Sequence, residues 1–337
     1  MSISVCIPTF NQSEYIEKAI KSAYHQTHQP IEIIVSDDAS TDNTRDILNK
    51  LLQEIDILKV IIQPKNLGIS RNTDECLRAA KGDFVIRLDS DDILHEEYSE
   101  KLLSLFKTFP NSGFAHAAVQ EIDPKGFFLR KRFLGREVIY QSAEDALKSS
   151  VKGYRVAANI IMFRRVALEK VGYIKATTNF AEDYYLSASL AVNGYGNIYL
   201  NEILSYYRVW IDTKKVRKKR KLDEIVGFRK VFEEVLEPAF IANNLSLELL
   251  TNQRKQLACS HSDCLSWFEY SNEEKQELVQ EIKKMSSKKI VSFYCWLNLN
   301  GFGVVISVPK KIKNGLKRKL KYLIYSKLKL KNDQNSY

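Results

Sequence analysis

The chain has 337 residues, 45% of them hydrophobic and 27% charged, with only 13 Gly and 7 Pro. That composition excludes a collagenous, low-complexity or disulfide-stapled chain and leaves room for one large globular domain or two. The net charge of +10 is unevenly placed: residues 283–337 hold 14 Lys and Arg against Asp333 alone, a net +13, so the other 282 residues sum to −3.

In chain order, the first half alternates between two periods. Ile3–Ile7 reads as a strand, and Ser13–Gln26 as a helix with Tyr15, Ile16, Ala19, Ile20 and Ala23 on one face. Ile31–Val35 is almost wholly apolar, as expected of a parallel strand covered on both faces. Ser40 or Thr41 is expected to cap a helix reaching about Gln53, with Asp42 and Asp46 in its first turns. Leu58–Ile62 is a third strand, Ser70–Lys81 a helix and Phe84–Leu88 a fourth strand. Beyond these, Glu97–Phe106 reads as a helix, Gly113–Val119 as a strand and Glu121–Tyr140 as a hairpin or insertion. Ser142–Lys152 is a capped helix, Val156–Phe163 a strand, Ala181–Val192 a helix and Ile198–Arg208 a strand. The alternation predicts right-handed βαβ units and an α/β fold. After the basic run Lys214–Lys221 the pattern turns helical, which places a boundary near residue 212: a domain over 1–212 and a basic, mainly helical region over 213–337.

In sheets of this kind ligands bind at the carboxyl ends of the strands. There the sequence sets Pro8-Thr9-Phe10-Asn11, then Asp37-Asp38, then Asp89-Ser90-Asp91-Asp92. Three carboxylates within four residues repel one another, so a positive partner is expected among them.

The segments ISVCIPTFNQSEYIEKAIKSAYHQT (3–27), IIVSDDASTDNT (33–44), NLGISRN (66–72) and GDFVIRLDSDD (82–92) together resemble family 2 of the inverting glycosyltransferases, of the bacterial cell-surface polysaccharide type. The likeness is specific over residues 3–92 and looser to Arg208. It implies the A-type glycosyltransferase fold, a Rossmann-like, mixed but mainly parallel sheet flanked by helices, here with a mainly helical C-terminal extension. It implies a nucleotide-diphosphate sugar donor, a UDP-sugar foremost, and a saccharide or lipid-linked acceptor. A divalent cation, Mn²⁺ or Mg²⁺, would neutralise the departing pyrophosphate as a Lewis acid, and hard cations of this kind take oxygen ligands. Residue by residue, the resemblance makes Asp91 the metal ligand, Asp89 a donor-side carboxylate, and Asp38 with Thr9 the lining of the nucleotide pocket. Arg71 would face nucleotide or phosphate. The pair Glu182-Asp183, which follows Thr177-Thr178-Asn179-Phe180, would supply the general base, and Asp183 is the expected one.

Two features depart from the family pattern. Where some relatives carry a metal-binding His after a Tyr-Arg pair, Tyr207-Arg208-Val209 is followed by Trp210. The Q-x-x-R-W element of processive synthases is absent, so transfer of a single sugar is expected.

The start MSISVCIPTF has no basic region or cleavage site typical of a signal peptide, and five scattered cysteines suit reduced thiols; the cytoplasm is the expected compartment. Ile290–Val308 has 19 residues without a charge and is a borderline membrane span, weakened by Asn298, Asn300 and two glycines. The basic stretch after it, with Leu316, Leu320, Leu323 and Ile324 on one helix face, suits either a packed C-terminal helix with a solvated basic face or, as expected here, residues 290–331 lying on an anionic membrane surface at the inner face of the plasma membrane. Two rival classes remain. A nucleic-acid binder could use the basic runs at 214–221 and 310–321, but neither holds a reading motif and the acidic sheet rim repels phosphate; no nucleic acid is expected. A catalytically silent, nucleotide-sugar-binding scaffold protein is the other, and the intact Asp89, Asp91 and Asp183 speak against it.

Overall fold

The structure, a computed structural model, describes residues 1–175, 180–210 and 216–303. Its frame is ten strands: β1 (Ile3–Thr9), β2 (Glu32–Asp37), β3 (Leu58–Ile62), β4 (Phe84–Arg87), β5 (Ile93–Leu94), β6 (Ser112–Ile122), β7 (Phe128–Arg132), β8 (Tyr140–Gln141), β9 (Ile161–Arg164) and β10 (Gly196–Arg208). They form one sheet in the order β3-β2-β1-β4-β9-β6-β10-β5, with β7 on β6 and β8 on β10. β3, β2, β1 and β4 run parallel; β9 is antiparallel to both β4 and β6, and β6 and β10 are parallel. The sheet is therefore mixed and mainly parallel, with the order reversing between β1 and β4. That reversal opens a crevice at the strand ends.

The helices α1 (Ile16–Tyr24), α2 (Thr44–Glu54), α3 (Ile69–Arg78), α4 (Tyr98–Thr108), α5 (Ala143–Ser150), α6 (Arg165–Val171) and α7 (Glu182–Val192) flank it. Every residue of β1, β2 and β4 is buried. Strand alternation divides them between two cores. Ile3, Val5, Ile7, Phe84 and Ile86 pack with residues of α1, α2 and α4, while Cys6, Ile34 and Val85 pack with residues of α3, α6 and α7. Each such buried aliphatic side chain contributes about 1.5–3 kcal/mol.

Two local expectations are corrected. Neither Ser40 nor Thr41 caps α2: its first flanking residue is Asn43, because the Ser40 hydroxyl is taken by the Asn11 N–H at 2.9 Å. The strand expected over Val156–Phe163 is only Ile161–Arg164, since pairing with β4 begins at Ile161. In the uncharged run from Ile290 the helix Lys289–Leu299 stops at Asn300, residues 304–308 lie outside the described residues, and no helix among the described residues is long and apolar enough to cross a membrane. Ser142 does cap α5, accepting the Asp145 N–H at 3.1 Å.

The chain divides into two compact units, Met1–Gln253 and Arg254–Tyr337. The break in pattern near 212 falls beside residues 211–215, outside the described residues, and the helix Lys221–Lys230 belongs to the first unit. In the second unit, Leu278, Ile282 and Met285 of the helix Asn272–Met285 and Val291 and Cys295 of Lys289–Leu299 are buried. The amphipathic pattern at Leu316–Ile324 lies outside the described residues.

Candidate active site

A cavity of about 860 Å³ opens at the carboxyl ends of β1 and β4. The strand pairing brings its walls together: Thr9 ends β1 beside Asp37 of β2, and Asp89 follows β4. Thr9, Asp38, Arg71, Asp89 and Asp91 all line it. Five of the six expected site residues thus share one cavity. The sixth, Asp183, does not line it but stands behind Arg87.

Each segment is held in place by side chains acting on backbone. Asp38 accepts the Leu67 N–H at 2.6 Å and the Gly68 N–H at 3.0 Å, tying the loop before α3 to the end of β2. Gly68 sits at φ 83°, a left-handed conformation that a side chain would disfavour, and so carries the chain into α3, which brings Arg71 to the cavity. Asn11 accepts the Thr41 N–H at 2.8 Å, joining the loops after β1 and β2. Asn11 (φ 51°), Ala39 (φ 60°) and Ala181 (φ 67°) are non-glycine residues with positive φ beside these loops and at the start of α7. Such backbone costs on the order of 1–3 kcal/mol per residue, and it clusters at functional sites.

The carboxylate cluster has three separate partners. Arg87, 2% exposed, donates to Asp89 Oδ1 through Nε at 3.3 Å and bonds Asp183 Oδ1 through Nη1. Asp91 Oδ2 accepts the Trp210 Nε1–H at 2.6 Å. Asp92 Oδ1 accepts the Arg208 N–H at 2.7 Å, while its Oδ2 is buried with no hydrogen-bond partner among the described residues. Arg208 also donates through Nε to the Asp91 carbonyl at 2.8 Å, and its guanidinium covers the Tyr15 ring, which meets Trp210 edge-on at 5.4 Å.

Burial raises the Asp91 carboxyl above the usual range, with Trp210 opposing and Asp89 adding to the rise. Asp92 is raised well above by burial and by Asp91 and Asp89. Burial also lifts Asp183 to about 6, against the pull of Arg87. Thr9 Oγ1 and Ser70 Oγ are buried polar atoms of cavity-lining residues with no hydrogen-bond partner among the described residues. Buried hydroxyls in such positions await a partner that the protein does not supply.

Among the described residues no group of three or more His, Cys, Asp or Glu is arranged to hold a metal ion. The donor set still suits a hard cation of the Mg²⁺ or Mn²⁺ kind, which binds through one or two carboxylates and completes its shell with water and phosphate oxygens. Asp91 and Asp89 both face the cavity, and Asp91 is held by desolvation in a state that a cation would relieve.

Sequence reasoning missed the part played by four residues. A positive partner was expected for the cluster but not named; it is Arg87, whose signal was a basic residue inside the apolar run Phe84–Leu88. Trp210 stands where a metal-binding His was sought, and it does reach Asp91, as a donor. Arg220 and Asp223 line the cavity from the helical stretch beyond residue 212; Arg220 falls in the basic run Lys214–Lys221, which was read as a boundary and not as part of the site, and nothing in its sequence surroundings marks Asp223.

The crossover at β1/β4, the acidic rim beyond it and the helices on both faces define an A-type glycosyltransferase fold. The described architecture is similar to that of residues 1–349 of TarS from S. aureus, with TM-score 0.66, 18% identity and 92% of each chain covered. Residues 4–172 match the family described as Glycosyl transferase family 2, and the chain belongs to that family. The chain is 31% identical over 212 residues to the GalNAc(5)-diNAcBac-PP-undecaprenol beta-1,3-glucosyltransferase of Campylobacter jejuni, covering 62% of this chain and 65% of that protein, just under two thirds of its length. It is 30% identical over 208 residues to the putative teichuronic acid biosynthesis glycosyltransferase TuaG of Bacillus subtilis, covering 61% of this chain and 79% of that one. Asp183 lies beyond the family-matched segment.

Proposed function

We propose that the protein is an inverting glycosyltransferase that moves one sugar from a nucleotide-diphosphate sugar, a UDP-sugar foremost, to a hydroxyl of a saccharide or lipid-linked acceptor in cell-surface polysaccharide synthesis. The observation that carries this reading is the gathering of Thr9, Asp38, Arg71, Asp89 and Asp91 around one cavity, with Asp183 coupled to Asp89 through Arg87.

In this reading the Asp38-held loop and Arg71 receive the nucleotide end of the donor, and the unpartnered Thr9 hydroxyl bonds it. Asp91, with Asp89 beside it, holds a divalent cation, which supplies Lewis-acid neutralisation of the leaving diphosphate. Asp183 takes the proton of the acceptor hydroxyl as its oxygen attacks the anomeric carbon opposite the leaving group. A base lifted to about 6 is ionised at neutral pH yet basic enough to accept that proton. A position off the donor cavity suits a group that must meet the acceptor only. Attachment at the inner face of the plasma membrane through residues 290–331 belongs to the same reading. It is supported by the +13 of residues 283–337 and by the exposed Ile290, Phe293, Trp296 and Leu299 on the helix Lys289–Leu299.

The test is a thermal-shift screen of UDP-, GDP- and dTDP-sugars with and without Mn²⁺. A ligand that binds only the native state stabilises it, by about 2.7 kcal/mol at one hundred times its Kd. One donor class should raise the melting temperature, and only with the cation. No response from any donor sinks the reading.

A further inference from the structure

We propose that the hairpin between β6 and β7, residues 123–136, is a docking surface for an anionic lipid leaflet. The surface lies on the unit that holds the cavity and includes none of residues 290–331; it rests on the lipid-linked-acceptor reading only for its purpose.

The hairpin exposes what a folded protein normally covers. Phe127 is 68% exposed, Phe128 70%, Leu129 55% and Phe133 47%, all within seven residues. Between Lys125 and Arg136 there are five basic residues and no acidic one. Asp123 and Glu137 flank that stretch, and Glu121 at the root of the hairpin pairs with both Arg130 and Arg132; against these three carboxylates the five basic residues leave a surplus of two positive charges. A bare sheet edge is often guarded by Lys and Arg against pairing with other chains. Edge guarding explains Arg130 and Lys131, but it works against four large exposed apolar side chains. Aromatic rings beside cations are the composition that settles at a headgroup boundary, where rings enter the acyl region and charges meet lipid phosphate. A soluble acidic polymer would match the charge but leave the apolar side chains wet.

The tip is rigid enough to present them. Asp123 Oδ1 accepts the N–H groups of Lys125 at 2.9 Å and Phe127 at 2.8 Å, and Gly126, at φ 93°, closes the turn. The root is fixed to the cavity. Arg208 Nη1 donates to the carbonyls of Asp123 at 2.8 Å and Pro124 at 3.0 Å, while its Nε donates to the carbonyl of Asp91. A leaflet engaged by the hairpin is thereby held at a set position relative to the cavity carboxylates, which is what transfer to a lipid-anchored hydroxyl requires.

The experiment uses the full chain carrying Phe127→Trp, with wild type as the fluorescence background. With phosphatidylglycerol vesicles the added fluorescence should shift to the blue and be quenched by brominated acyl chains; phosphatidylcholine vesicles should leave it unchanged. Lys131→Glu should weaken partitioning roughly thirty-fold, two charge units at about 1 kcal/mol each. The proposal is overturned if vesicles bind the chain while the added fluorescence does not change, since the attachment then lies elsewhere. It is equally overturned if no vesicle binds, if dextran sulfate shifts the signal as vesicles do, or if Phe127→Ser abolishes a dimer of the wild type. Donor-dependent thermal stabilisation, measured on the same variants, reports folding and the enzymatic reading separately.

Discussion

Replacing Arg87 by Met keeps most of the side-chain volume and deletes the only charge that Asp183 and Asp89 are seen to share. The side chains of Arg87, Asp183 and Asp89 are 3%, 13% and 26% exposed. Breaking a buried ion pair by removing one partner costs about 3–5 kcal/mol, because the other charge stays behind uncompensated. Water at Asp89 relieves part of that, so the lower end, about 3 kcal/mol, is expected at pH 8. For a unit of this size each kcal/mol moves the melting temperature by roughly 2–4 °C, giving a drop of roughly 6–12 °C.

The deficit should depend on pH with a defined sign. In the wild type Asp183 has a folded-state value of about 6, above the ordinary unfolded value of about 3.9. The native state therefore binds the proton more tightly than the unfolded one. The stability contributed by that proton is fully present below the unfolded value and is lost as pH rises through the folded one. Without Arg87 the folded value rises further, so the variant loses more over the same climb. Melting curves of both proteins at pH 5, 6, 7 and 8 should show the gap widening with pH. A gap that is equal at pH 5 and pH 8, or below about 2 °C throughout, refutes the ion-pair account.

Asp91→Asn keeps the side chain's shape and removes its charge; Mn²⁺-dependent donor stabilisation should vanish, and an unchanged Mn²⁺ response would remove Asp91 from the metal site. Asp183→Asn should lower transfer by ~10²–10⁴, the usual share of a general base, with donor affinity nearly intact because Asp183 does not line the cavity. In the wild type, transfer should climb as pH rises through about 6, where Asp183 loses its proton; a flat acid limb speaks against it as the base. Trp210→Phe removes the N–H that occupies Asp91 Oδ2, along with part of the ring, so calorimetry should find cation-dependent donor binding tighter by roughly 2–10-fold; weaker binding would mean that the indole supports the site.

Most of the fold was legible because parallel strands buried on both faces must be written in apolar residues and must then stop. Ile33, Ile34 and Val35 followed by Ser36, Asp37 and Asp38 mark one such stop, and Phe84–Leu88 followed by Asp89 marks another; the cavity lies at these ends. What stayed hidden depends on distant partners. The Ser40 hydroxyl looks free to cap α2 until Asn11, 29 residues earlier, claims it. Arg87 and Asp183 are separated by 96 residues, and no periodicity joins them. Trp210 and Asp91 are separated by 119, and their contact depends on β10 running parallel to β6 and ending beside the loop that β4 leads into.

The acidic loop after β4 also shows why a cation is needed less for folding than its crowding suggests. Asp89 is matched by a buried guanidinium, Asp92 by a backbone N–H, and Asp91 by an indole N–H. The indole and the backbone N–H are both neutral donors and match a full charge less well than a guanidinium does, and the indole, at 48% exposure, is also reachable by water. Asp92 is raised further, its buried Oδ2 meeting no hydrogen-bond partner among the described residues, but it does not line the cavity; Asp91 is the raised carboxylate that stands in the cavity wall. On the proposed reading, such a site would fold without a cation and keep Asp91 at the cavity wall for a donor phosphate and cation that arrive together.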